Sequence, residues 1–358
     1  MREALRRYVR WKKNSRTLDR LCREHPLKYL FLEITRRCNL SCAYCGSDCS
    51  PGATPEELPT EEWIKIVRQL AEDFNPREVM IAVTGGEPLL RPGALELFAE
   101  LNHLGFPFGM VTNGTLIRKE LARKIVETGI GSISLSLDAP PAVNDRYRGA
   151  GGAEKVQRAI ESLRAVGYAG KLEIISTLTR EAVAHLDDMR RHVATLRVPL
   201  WRIAPVMPIG RAATDPQLVP GAQELKAMLA FIHAARGDRY SPAPEFGEEG
   251  YLGDAYEGAV RPYLCQCRAG ITTGGILADG RIGACPELSD AFVQGDIRTE
   301  RFREVWERRY QIFRDRSWTR RGECAGCEAY DRCRGGSLHL YPEPKAEFLR
   351  CFYLMLGE

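Results

Sequence analysis

An α/β fold built on a parallel sheet or an open barrel is what these 358 residues predict. Three observations predict it. Strand-like and helix-like stretches alternate six times between residues 28 and 206, the pattern of serial βα units. Residues suited to chemistry recur where those strands end, as they do in such folds. One strand also carries a polar face that a dry core would not need.

Taken in order, residues 29–35 read as a strand that runs straight into the first group of cysteines. Thr60 caps a helix whose Ile64, Val67, Leu70, Ala71 and Phe74 share one face. Residues 79–83 form a strand ending at Gly85-Gly86. Pro92 opens a helix over 92–104, and a strand over 108–111 leads to Asn113-Gly114. Helix 117–128 precedes strand 131–137, helix 153–166 precedes strand 171–178, and helix 182–195 precedes strand 200–206. In strand 131–137, Ile133, Leu135 and Leu137 alternate with Ser132, Ser134 and Ser136. Period two puts the serines on one face and the apolar residues on the other. Helices cover the apolar face, so the polar face points inward, which suits a barrel holding a polar ligand. The first cysteines, Gly85 to Pro88, Asn113, Asp138 and Met207 all fall at strand ends.

The flanks divide the chain further. Residues 1–27 are basic, with Leu5, Tyr8, Val9 and Trp11 among arginines and lysines. This is an amphipathic helix, packed on the surface or touching a membrane or a substrate leader. Residues 28–215 hold the βα units. Residues 216–262 hold a helix and then a Gly-, Pro-, Glu- and Tyr-rich stretch, read as a linker or a segment wrapping the barrel mouth. Residues 263–358 are the second cysteine-rich region.

Composition sets the chemistry. With 44% hydrophobic and 27% charged residues, the chain is neither disordered nor fibrous. A net charge of +4 is too mild to imply nucleic acid. No apolar run reaches the roughly 18 residues that span a bilayer, and the N-terminus lacks a signal-peptide core. A cytoplasmic location follows as the expectation. In that reducing compartment the 12 cysteines read as metal ligands rather than disulfides. Apart from Cys22 they lie at 38–49 and 265–351, on either side of a cysteine-free scaffold. Cys38, Cys42 and Cys45 on one loop fit three zinc ligands or a [4Fe–4S] cluster with one iron left open. Cys22 and Cys49 read as non-ligands.

The context favours iron. Cys38-Asn39-Leu40-Ser41-Cys42-Ala43-Tyr44-Cys45 resembles the CxxxCxΦC signature of the radical S-adenosylmethionine (SAM) enzymes, and Gly85-Gly86-Glu87-Pro88 resembles their GGEP motif. The resemblance implies a partial (β/α)6 TIM-like barrel. It implies that the open iron chelates SAM, and that reductive cleavage yields a 5′-deoxyadenosyl radical that abstracts hydrogen from substrate. Tyr44, Gly85, Gly86, Glu87, Pro88 and Asn113 would then contact the cofactor. Ser136 and Asp138 resemble the ribose-contacting pair. Asn144 to Gly149 resembles an HDxxRG segment with Asn for His, placing Arg148 near the SAM carboxylate.

The second region resembles the SPASM domain, which holds auxiliary iron–sulfur clusters. By that resemblance Cys324, Cys327, Cys333 and Cys351 form a complete distal ligand set. Cys267 and Cys285 belong to a proximal set in which Ser337 stands where a cysteine is expected. Cys265 would complete it to three, with the fourth place open or taken by Ser337, His339 or substrate; a smaller cluster, or none, is the alternative. One or two zinc sites are the alternative for this region.

SPASM enzymes mostly modify peptides or proteins, by oxidation, crosslinking or related maturation. The alternative is an oxidoreductase or lyase acting on a small metabolite or cofactor precursor. A third reading is an electron-transfer or zinc-binding module without SAM chemistry. No fused leader-binding domain is expected before residue 28, so a separate leader-binding protein, the basic helix, or no leader at all would serve. Flavodoxin or ferredoxin is the expected reductant. Cys285 is followed by Pro286 and Glu287 rather than directly by Asp, which argues against formylglycine formation and makes Glu287 the candidate base.

Overall fold

The computed structural model describes residues 2–51, 56–237, 242–262 and 266–357, with side chains from residue 12 onward. The six βα units are present. They comprise β1 (Tyr29–Glu33), α2 (Thr60–Asp73), β2 (Met80–Thr84), α3 (Ala94–His103), β3 (Phe108–Thr112), α4 (Lys119–Glu127) and β4 (Ser132–Ser136). A short helix α5 (Pro141–Arg148) that the sequence did not suggest precedes α6 (Gly152–Ala165) and β5 (Lys171–Leu178). The helix expected over 182–195 is split into α7 (Arg180–Val183) and α8 (Leu186–Leu196), and β6 (Leu200–Pro205) follows. Upstream of all of them, α1 spans Arg2–Glu24.

Strands β1 to β6 lie side by side in chain order, all parallel. Their apolar residues face the helices. Leu30, Leu32, Ile81, Val83, Ile133, Leu135, Ile174 and Ile203 are wholly enclosed with Trp63, Val67, Phe98, Ile125 and Leu163 from the helix layer. Each such side chain contributes about 1.5–3 kcal/mol of burial. The inner face is polar, as the serine alternation implies. Ser134 Oγ donates to Glu173 Oε2 (2.7 Å), and Arg202 pairs with Glu173 Oε1 (2.8 Å), a line of polar groups across β4, β5 and β6.

The sheet is longer than six strands. Helix α9 (Ala222–Gly237) returns the chain, and β7 (Pro244–Phe246) adds parallel to β6. This strand lies in the stretch read as linker. Its polar composition hid it, because only Pro244 and Phe246 point into the core. At the other edge β8 (Thr273–Ile276) pairs parallel with β1, and β9 (Arg281–Gly283) and β10 (Gly295–Asp296) continue antiparallel. The open barrel therefore runs without a break into the second cysteine-rich region. Helix α10 (Phe302–Arg309) packs Trp306 beneath the N-terminal arm, its indole N–H donating to His25 O (2.9 Å).

Helix α1 docks on this C-terminal region: Leu18 is buried, and Arg334 bonds Asp19 Oδ1 (2.6 Å) and Ser15 Oγ (3.1 Å). The apolar residues expected to mark its sticky face, Leu5 to Trp11, lie outside the described side chains. Among the described residues no helix is long and apolar enough to cross a membrane.

Candidate active site

The chemistry gathers where β1 to β5 end. Past β1 the chain enters an irregular loop carrying Cys38, Cys42, Cys45 and Cys49. Irregular backbone needs outside partners, and the loop finds them. Cys38 N donates to Ser50 O (3.3 Å) and Ala43 N to Tyr147 O (3.2 Å). Arg211, just past β6, contributes most. Its backbone N–H donates to Cys45 O (3.0 Å), its Nε to Cys42 O (2.8 Å), and its Nη1 to Cys49 O (3.0 Å) and Asp48 Oδ1 (2.8 Å). Nothing in the sequence marks Arg211, since a lone arginine after a strand carries no motif.

The resemblance implies that Gly85 and Gly86 contact the cofactor. The structure shows a nearer reason for the two glycines. A Cβ on Gly85 would stand 2.2 Å from Thr35 O, and one on Gly86 2.3 Å from Arg37 O. The two segments run as paired backbone, with Gly86 N donating to Thr35 O (2.8 Å) and Glu87 N to Arg37 O (2.9 Å). The glycines let the cysteine loop lie flat against the end of β2.

Glu87 turns away from the cavity. It is fully buried, and its carboxylate accepts from Thr112 Oγ1 (2.8 Å), Asn113 N (2.8 Å) and Leu89 N (3.2 Å). Burial raises its pKa, which those three donors oppose. Its place is therefore to lock the end of β3 against β2, with buried Pro88 starting the short turn that follows it. Asn113, so positioned, directs Nδ2 at Cys38 Sγ (3.8 Å) and Asn39 Oδ1 (2.9 Å).

Asp138 is the second anchor. It is 3% exposed. Oδ2 accepts from the Tyr44 hydroxyl and from Arg148 Nη1 (2.5 Å), and Oδ1 accepts from Thr177 N (2.7 Å). Asn144, in the place of the family histidine, accepts from Asp138 N (3.0 Å). Burial alone would lower the Arg148 pKa, but the Asp138 carboxylate, Cys42 and Tyr44 together outweigh that and raise it. A fixed positive charge thus faces Cys42.

Together these residues line one cavity of about 210 Å³. Its walls are Cys38, Cys42, Tyr44, Cys45, Gly85, Gly86, Asn113, Ser136 and Arg148, with Thr177 and Arg211. Asp138 and Glu87 stand behind the wall. Cys38 and Cys42 are 9% exposed, and burial pushes both thiols up in pKa. Cys45 is lowered by a hydrogen bond from Cys49, which is raised in turn. Three thiols converging on a polar cavity, with an arginine opposite, form a donor set that fits a cluster bearing one open iron. Cys49 touches this set, which the sequence did not foresee.

Glu287 lies on the same cavity and on a second, larger one. It is exposed, and its Oε1 would be 3.8 Å from a Cβ on Gly46. The larger cleft, about 710 Å³, runs between the cysteine loop and the C-terminal region. Glu33, Arg36, Ile209, Leu288, His339 and Tyr341 are among its walls.

The distal thiols Cys324, Cys327, Cys333 and Cys351 are brought together, each within electrostatic reach of others in the set. Cys267 and Cys285 form a separate pair. Cys265 lies outside the described residues. Ser337 is wholly enclosed and donates to Glu248 Oε1 (3.3 Å). His339 Nε2 lies 3.7 Å from the same oxygen. Glu248 and Glu249, from the stretch read as linker, were missed. Their only signal was a carboxylate pair shortly upstream of the cysteine run. Among the described residues no three His, Cys, Asp or Glu side chains could hold a single metal ion.

Comparison with known proteins agrees with this geometry. Residues 32–192 match the radical SAM superfamily, and residues 267–328 match SPASM, described as an iron–sulfur cluster-binding domain. Mycofactocin maturase MftC of Mycobacterium ulcerans is 33% identical over 317 residues, covering 86% of this chain and 81% of that protein. AdoMet-dependent heme synthase of Oleidesulfovibrio alaskensis is 30% identical over 320 residues, covering 85% and 80%. Among solved structures, native anSMEcpe with bound AdoMet superposes with a TM-score of 0.72 at 21% identity, covering 93% of this chain and 95% of that one. SuiB of Streptococcus suis bound to precursor peptide SuiA gives 0.69 at 16%, covering 94% and 79%. At those identities the structures speak to the fold alone.

Proposed function

The chain belongs to the radical SAM superfamily with a SPASM iron–sulfur domain, and from that premise we propose that it is a maturase acting on a side chain of a peptide or protein. SAM and [4Fe–4S] clusters are its cofactors, and when bound they supply a 5′-deoxyadenosyl radical that takes hydrogen from the substrate. Cys38, Cys42 and Cys45 would hold the SAM-binding cluster, with Asn113 directing an amide N–H at Cys38. Ser136 and the Arg148 guanidinium face the place SAM would fill, and Asp138 fixes that guanidinium and Tyr44 behind it. Cys324, Cys327, Cys333 and Cys351 would hold the distal auxiliary cluster.

The observation that carries the peptide reading is the position of Glu287. It lines both the cofactor cavity and the large cleft. A side chain entering from the cleft would reach the cofactor cavity beside a carboxylate able to take a proton. Mixed walls of apolar and charged residues, open at the rim, suit an extended chain. The mycofactocin maturase relatives support the same class of substrate. We place the enzyme in the cytoplasm, reduced by flavodoxin or ferredoxin.

A second reading, action on a cofactor precursor, is favoured by the heme synthase relative, whose identity is nearly as high. One experiment separates them. Reconstituted enzyme, SAM, reductant and the short peptide encoded beside the gene are combined without oxygen, and the peptide is weighed by mass spectrometry. Peptide losing two hydrogens in step with 5′-deoxyadenosine supports the maturase. Unchanged peptide, by mass and by chiral amino-acid analysis, while 5′-deoxyadenosine still forms would move the assignment to the cofactor precursor. Cys42→Ala should form no 5′-deoxyadenosine at all.

A further inference from the structure

The proximal auxiliary site is short of thiolates, and the structure shows what stands in their place. Ser337 occupies one expected cysteine position and is already engaged, donating to Glu248. Cys267 is 5% exposed, and its thiol lies within hydrogen-bonding reach of the Glu249 carboxylate and of the Leu338 N–H. Cys285 lies within electrostatic reach of both Cys267 and Glu249. His339 stands 3.7 Å from Glu248, its side chain 7% exposed, and within electrostatic reach of Glu249 and Glu287. Its Nε2 is buried with no hydrogen-bond partner. An imidazole nitrogen enclosed among carboxylates and making no hydrogen bond is costly unless something binds it.

We propose that this site is a mixed-donor iron–sulfur site in which Glu249 and His339 take ligand positions beside the thiolates of Cys267 and Cys285. The donor chemistry fits. Three carboxylates (Glu248, Glu249 and Glu287) and two thiols act on one another here, opposed by the His339 imidazole and, from the margin, by Arg316 and Arg350. A cationic cluster core would resolve that excess. The donors do not converge on a point, and no three of them could hold a single ion. A polynuclear cluster needs donors spread around it, each on its own iron. Arg316 Nη2 fixes the Cys267 carbonyl (2.8 Å), so the site is anchored from behind. Glu248 serves as a positioning residue, holding Ser337 and facing His339. Replacing thiolate by imidazole raises a cluster's reduction potential, as nitrogen ligation does in Rieske centres. The proximal cluster is therefore the more easily reduced of the two auxiliary clusters, and it lies where His339 and Glu287 border the substrate cleft.

This inference rests on the iron–sulfur assignment and not on the nature of the substrate. The test uses the full chain with Cys38, Cys42 and Cys45 all changed to Ala, reconstituted anaerobically. Iron, labile sulfide and potentiometric electron paramagnetic resonance are read without SAM or peptide. The background protein should hold about eight iron per chain, and Glu249→Ala in that background about four. Glu249→Cys should restore the iron with a lower potential and changed g-values. His339→Ala should change the spectrum of the same cluster and leave the distal signal alone. The proposal is overturned if the background holds only about four iron, or if Glu249→Ala keeps wild-type iron, spectrum and potential. Loss of iron in Cys265→Ala but not in Glu249→Ala would overturn it too, as would loss in Glu249→Ala that Glu249→Cys fails to repair. An unchanged spectrum in His339→Ala removes His339 from the set. None of these outcomes bears on whether a peptide is the substrate.

Discussion

The Tyr44 hydroxyl donates to Asp138 Oδ2, the oxygen that also accepts from Arg148. This contact joins the cysteine loop after β1 to the end of β4. It makes one buried carboxylate the hub between the cluster ligands and the cation that faces the cofactor. Asp138→Ala leaves the Arg148 charge enclosed and unpaired, a change that costs about 3–5 kcal/mol. Tyr44→Phe removes a single hydrogen bond and costs about 1 kcal/mol. Thermal unfolding and equilibrium dialysis of SAM should rank the two in that order. Equal losses in both would mean that Arg148 does not depend on Asp138.

The close pairing of residues 35–37 with 85–87 gives a second expectation. Gly85→Ala or Gly86→Ala drives a methyl into backbone carbonyls that have no side-chain freedom to yield. Each should cost about 3 kcal/mol or more and lower iron content at the first cluster. Gly131→Ala, whose Cβ would meet nothing nearer than 3.4 Å, is the control. A Gly86→Ala protein that unfolds like Gly131→Ala and keeps its iron would contradict the packing described.

Glu287→Gln keeps the size of the side chain and removes its ability to accept a proton. If Glu287 is the base, conversion of peptide should fall by about 10²–10⁴-fold, while 5′-deoxyadenosine continues to form. Product formation at the wild-type rate would return Glu287 to the role of an exposed wall residue.

Glu33, at the end of β1, is 4% exposed, and burial pushes its carboxyl up to about 7 against the opposing pull of Arg36 and the Ala278 N–H. The folded protein therefore holds this proton more tightly than the unfolded chain. Its stabilising share is complete below about pH 4.5, the usual value, and is lost as pH rises through 7. Between those limits the protein should lose on the order of 3 kcal/mol from this group. Glu33→Gln should flatten that part of the profile when thermal midpoints are compared from pH 5 to 7.5. Parallel wild-type and variant profiles would show that Glu33 titrates normally.

The six strands and their helices were legible because each carries its own period: two in β4, near 3.6 in α2. The first cysteine group was legible for a similar reason, since its three thiols lie within eight residues and spacing alone brings them to one loop. The same holds for Gly85 to Pro88. Local order could not show why those glycines are needed, because the carbonyls they avoid belong to residues fifty positions earlier. Nor could it show that Glu87 serves β3 rather than the cavity.

Long-range placement decided the rest. Arg211 staples a loop some 160 residues upstream, and Glu249 stands by Cys267 only because β7 closes one edge of the sheet. Sequence by itself determined the fold class, the two cysteine groups and the family they resemble, all of which rest on spacing along the chain. Only the tertiary structure decided which carboxylates face a cavity, which lie behind its wall, and which stand among thiols. Those assignments depend on distances across the sheet, and the energetic cost of burying charge makes each of them specific.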